Sequence, residues 1–147
     1  MKRHCPIIIV LFGLLLSACS GAVNTTATPD DSTIDSNLTR TNEAAAVSVE
    51  VTPLNLDHPS AITLDFEVAL NTHSVDLNYD LTAIGVLRAD NGEEVTPLRW
   101  DGPTDGGHHV SGVLSFPTFE ASTQSVTLVL SGIAGVSERT FEWRTTN

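Results

Sequence analysis

From residue 46 onward, apolar side chains recur at every second position in short runs. Val47, Val49 and Val51 alternate with Ser48 and Glu50. Ile62, Leu64, Phe66, Val68 and Leu70 alternate with Thr63, Asp65 and Glu67, the clearest such run in the chain. Val75, Leu77, Tyr79 and Leu81 keep the alternation, and 84–88 continues it in looser register. Val110, Gly112, Leu114 and Phe116 share one parity, as do Val126, Leu128 and Leu130, then Phe141 and Trp143. A period of two marks a strand with one buried face. The breaks are rich in Gly, Pro, Asn and Asp, and Asn91-Gly92 is a strong hairpin signal. Strands are therefore predicted over 46–54, 60–70, 75–88, 94–100, 109–116, 124–131 and 138–145. No segment carries a helical period. About seven short antiparallel strands, with turns roughly every 8–12 residues, predict an all-β sandwich.

The first 44 residues have a different texture. Lys2 and Arg3 precede an apolar run from Pro6 to Leu16, which ends in small residues around Cys19. This is the layout of a secretory signal, and the run is shorter than the roughly 20 apolar residues that a spanning helix needs. Residues 20–44 are rich in Ser, Thr, Asn and Asp with few large apolar side chains, which predicts a disordered tether. The organisation expected is a signal peptide over 1–18, a tether over 19–44 and a sandwich domain over 45–147.

Leu16-Ser17-Ala18-Cys19 resembles the lipobox of bacterial lipoproteins. The resemblance implies cleavage before Cys19, a diacylglycerol thioether on its sulfur, and a new amine open to acylation. Two or more acyl chains hold a protein stably on a membrane where one does not. Residues 45–147 resemble the immunoglobulin-like domains of bacterial envelope lipoproteins, through strand count and a core tryptophan rather than a motif. The strings "NTHSVDL" and "GGHHVSGVLSF" look like segments of secreted bacterial proteins. Together these resemblances imply a lipid-anchored protein on the outer side of the cell envelope, at an outer membrane or cell surface. Its partners would be the membrane, through the anchor, and an envelope protein.

Charge and cysteine content narrow the picture. Without residues 1–18 the chain has five arginines, no lysine and 18 acidic residues, a formal charge of −13. Such a surface repels phosphate backbones, so nucleic acid is a poor partner. Cys5 lies in the signal and Cys19 would carry lipid, so no intrachain disulfide is available and the domain must be held by its core.

The candidate chemistry lies around "DGGHHVSGVLSF", residues 105–116. In an immunoglobulin-like sandwich, the connections near 71–76, 101–108 and 132–137 gather at one end. That end would hold His73, Asp76, Asp101, His108 and His109, with His58 at the other. Neutral imidazoles with a carboxylate suit copper or zinc, so these five residues form a candidate metal cluster. Parity along the strand offers another reading, in which His108 points inward with Val110 and His109 faces solvent. Trp100 and Trp143 fall on apolar parities and are expected in the core. "DGPTDGG" lacks the ligand spacing of a calcium loop. His73, Ser74 and Asp76 are too close in sequence for a hydrolase triad, and no nucleophile elbow, P-loop or dinucleotide fingerprint occurs. The expectation is a binding or structural domain rather than an enzyme, without a cofactor unless the histidines take copper or zinc.

Overall fold

A computed structural model describes residues 38–58 and 60–145. The signal segment, Cys19 and tether residues 20–37 lie outside the described residues. Among the described residues nine strands form: β1 (Arg40–Ala44), β2 (Val47–Pro53), β3 (Thr63–Thr72), β4 (Gly85–Ala89), β5 (Glu94–Val95), β6 (Arg99–Asp101), β7 (His109–Pro117), β8 (Ser125–Ser131) and β9 (Glu138–Arg144). One sheet runs β1-β2-β3-β7-β6 and the other β5-β4-β8-β9. Every pairing is antiparallel. The protein is all-β, an antiparallel sandwich. The order β2-β3-β7-β6 facing β4-β8-β9 is the Greek-key connectivity of immunoglobulin-like domains, with β5 as an extra strand beside β4.

The period-two pattern explains the core. Val47, Val49 and Val51 of β2, Phe66, Val68 and Leu70 of β3, and Leu114 and Phe116 of β7 are buried from one sheet. Leu87, Val126, Leu128, Leu130, Phe141 and Trp143 meet them from the other. Phe66 is the hinge of this packing, edge-on to Phe116 at 5.8 Å and tilted against Trp143 at 5.4 Å. Burying such side chains contributes roughly 1.5–3 kcal/mol each, and no disulfide is required.

Four expectations need correction. The domain begins before residue 45, because Arg40–Ala44 forms β1, paired in register with Val47–Val51. The predicted tether is therefore a strand over its last five residues. The run 75–88 is not one strand. Leu77 and Leu81 are buried, as the alternation requires, but residues 75–80 cross from one sheet to the other and form no strand. Asp80 then caps a single helical turn, α1 (Leu81–Ile84), and only Gly85–Ala89 pairs as β4. Period two reports alternating burial, which an unpaired crossing segment shares. Finally, 94–100 divides into β5 and β6, which belong to different sheets, with Pro97 in the step between them. Pro97 has no N–H to give a ladder, and a change of sheet fits there. Ile62, expected to open the second inward run, lies before β3 and is 89% exposed.

The two open sides of the sandwich are managed differently. On one side β1 leans on β9, where Arg40 Nε donates to the Glu142 carbonyl at 3.3 Å and Trp143 Nε1 donates to the Leu38 carbonyl. On the other side the edge strands β5 and β6 have only two and three residues. Short edges give a foreign strand little to pair with.

Candidate functional site

The register sets which loops meet. Val47 pairs with Thr72, and Asn71 with His109. The β1–β2 turn, the segment after β3 and the segment before β7 therefore share one end of the sandwich. The β8–β9 connection joins them, since Ser131 pairs with Glu138. The connections 54–62, 90–93 and 118–124 lie at the other end. The entry of the chain at Leu38 lies on that second end, beside Trp143 near the close of β9.

At the first end two of the predicted histidines come together. His109 opens β7 on the outward parity, opposite Val110, which is buried. Its Nδ1 lies 2.8 Å from Oδ1 of Asn71, its partner across the β3–β7 ladder. His73 follows β3 two residues after Asn71. Its ring stands edge-on to that of His109 with centres 6.5 Å apart. Both imidazoles are exposed. Beside His73 is an open depression of about 410 Å³, bounded by Glu43 and Ser48 on the hairpin side and by Asn71 and Ser74 on the other.

The other three predicted residues do not join this pair. His108 is exposed rather than turned into the core, which corrects the inward reading. Its side chain precedes the first strand residue, and Gly106 and Gly107, at φ 78° and 121°, turn the chain just ahead of it. Strand parity therefore does not reach back to His108. Its carbonyl still accepts from Thr72 N–H at 2.9 Å, so its role is in the backbone. Asp76 is occupied with loop structure. Its Oδ1 accepts from Gly107 N–H at 2.8 Å, and a Cβ on Gly106 would approach the same oxygen to 2.6 Å. The Leu77 N–H to Gly107 carbonyl bond, at 2.9 Å, completes this clasp. Asp101 lies in β6 opposite Val113, four residues along β7 from His109, or roughly 13 Å. Among the described residues, no group of three or more His, Cys, Asp and Glu side chains is placed to hold a metal ion. His58 is exposed on the distant 54–62 connection.

Asn71 is the residue that sequence reading passed over. Its signal was its place on the outward parity of β3, two residues before His73, but its partner depends on the register between β3 and β7. Trp100, expected in the core, is only half-buried, and its Nε1 donates to the Pro103 carbonyl at 3.0 Å. It packs over Gly112, where a Cβ would come within 2.5 Å of the Asp101 carbonyl and 2.9 Å of the indole. Gly112 thus keeps a gap in β7 that the Trp100 loop fills.

The opposite end is more apolar. Leu56, Leu64, Phe119 and Val126 line a hollow of about 370 Å³. The highly exposed Ile62, with Leu54 and Leu98, lies towards the same end.

Comparison with protein-family models, curated proteins and solved structures finds no match to the chain.

Proposed function

We propose that this chain is a lipid-anchored protein of the cell envelope, held by Cys19, whose immunoglobulin-like sandwich is a binding or scaffold domain on the extracytoplasmic side. The observation that carries this reading is the Leu16-Ser17-Ala18-Cys19 sequence at the end of an apolar run of signal-peptide length. Two features support it. The described domain has its own packed core, and 18 residues lie between Cys19 and Leu38, the first described residue. That residue is at the end opposite the His73–His109 loops.

The test is phase partition of the mature protein in a clouding detergent. The parent should enter the detergent phase, and Cys19→Ser should move it to the aqueous phase. A Cys19→Ser protein that still enters detergent would overturn the anchor at this residue.

A further inference from the structure

We propose that His73 and His109 form a two-imidazole site for a divalent transition metal of the copper or zinc class, with Asn71 as the positioning residue for His109. The argument starts with the hydrogen bond between Asn71 and His109. Asn71 Oδ1 is only an acceptor, so the His109 Nδ1 it faces at 2.8 Å carries the proton. In the neutral ring this leaves the lone pair on Nε2. A metal-ligating histidine is typically held in this way, with its second nitrogen donating to an oxygen that fixes tautomer and ring orientation.

The distance between the rings fits the same chemistry. With metal–nitrogen bonds of about 2.0–2.1 Å, two imidazoles on one ion hold their centres roughly 5 Å apart in tetrahedral geometry and roughly 6 Å apart in linear geometry. The observed 6.5 Å is within a small side-chain rotation of that range. Both rings are exposed, so that rotation meets little packing. The backbone beneath them is fixed. Asn71 and His109 are ladder partners, and Thr72 N–H bonds to the His108 carbonyl at 2.9 Å. The depression beside His73 leaves room for water or a partner's donor in the open positions.

The ligand count sets the metal class. Two imidazoles with exchangeable oxygen donors suit copper and zinc, and copper(II) binds nitrogen sites most tightly among the first-row divalent ions. Calcium and magnesium, which want oxygen shells, are poor fits. The site does not depend on the lipid anchor, so its test uses the full mature chain carrying Cys19→Ser, in which no free thiol competes for metal.

Calorimetric titration of that chain with Cu²⁺ and with Zn²⁺ should show one ion bound per chain, copper the tighter. His73→Ala and His109→Ala should each weaken binding by about tenfold or more, while His58→Ala and His108→Ala leave it unchanged. Asn71→Ala should weaken binding severalfold, and Asn71→Asp, which keeps an acceptor on Nδ1, should restore it. Electron paramagnetic resonance of the copper form should report two nitrogen ligands in the parent and one in either of the first two variants. All four histidines are exposed, so these variants should keep the parent's thermal midpoint. Absence of stoichiometric binding in the parent would overturn the proposal. So would equal loss in all four histidine variants, or His108→Ala proving as harmful as His109→Ala.

Discussion

Arg139 is the largest fully buried side chain among the described residues. Its Nη1 donates to the carbonyls of Asn42 and Val47 and to Asn42 Oδ1, at 3.1, 2.9 and 2.9 Å. Its Nη2 donates to the carbonyls of Ala44 and Ile133, at 2.7 and 3.4 Å. One guanidinium on β9 thus holds the β1–β2 hairpin and the turn after β8. Burial pushes its pKa down, yet guanidinium stays protonated at any relevant pH. Removing it strands several buried carbonyls, each costing about 1–3 kcal/mol if left without a partner. Arg139→Met is therefore expected to lower stability by about 3 kcal/mol or more in urea unfolding. Arg139→Lys should recover only part, because a single ammonium cannot serve both sides of the fork. The inward direction of Arg139 is legible in the sequence, since it shares the parity of Phe141 and Trp143. Its partners are not legible, because most are backbone carbonyls, three of them in a hairpin that carries no sequence signal.

Two exposed carboxylates tie loops in a pH-dependent way. Asp90 accepts from the Thr123 hydroxyl and from Gln124 N–H, joining the 90–93 turn to the 118–124 connection. The Thr123 bond is the main reason its pKa falls below the ordinary 3.8. Asp80 is lowered likewise, chiefly by the Thr82 hydroxyl at the cap of α1. A carboxyl with a depressed folded-state pKa favours the fold while ionised. Its contribution is present above the unfolded value, near 3.8, and is lost as pH falls through the lower folded value. Asp90→Asn should reduce stability at neutral pH and flatten the acid limb of a stability–pH profile. An unchanged acid limb would mean that this bond is not formed in solution.

At the scale of elements, β1 shows where sequence reading stops. Its residues, RTNEA, have no large apolar alternation; the half-buried positions are Asn42 and Ala44. The β1–β2 connection is Ala45-Ala46, without the Gly or Asn that marks two-residue hairpins. Ala45 takes φ 51°, a left-handed conformation that L residues adopt at a cost. Ala45→Gly should therefore raise stability by about 0.5–1 kcal/mol. β1 also supplies acceptors to Arg139, and the segment before it supplies one to Trp143. Removing residues 20–44 should lower the thermal midpoint clearly, whereas removing only 20–37 should leave it in place. Equal midpoints for both truncations would show that β1 adds nothing. By contrast β2, β3, β7, β8 and β9 were legible almost to their ends, because each has one buried face and a strong break on either side. The candidate site was legible in part. The meeting of His73 and His109 follows from loop convergence, but their selection over His108 and Asp76 depends on the glycine turn at 106–107.

At the scale of the whole molecule the two ends of the sandwich differ. The entry of the chain, the apolar hollow of Leu56, Leu64, Phe119 and Val126, and the exposed Ile62 lie towards one end. The imidazole pair and the Asp76–Gly107 clasp lie at the other. If Cys19 carries lipid, the anchor comes before the first end in the sequence, and the exposed imidazoles belong to the second. Without residues 1–18 the chain has a formal charge of −13 and no lysine, a balance that anionic head groups repel. The lipid on Cys19 is the claim on which the proposed function rests. The direct measurement is mass spectrometry of the N-terminal peptide of protein purified from envelopes. The account predicts a peptide that begins at Cys19 and carries a diacylglyceryl group on its sulfur. A mature N-terminus at any other residue, or a Cys19 with an unmodified thiol, would contradict it.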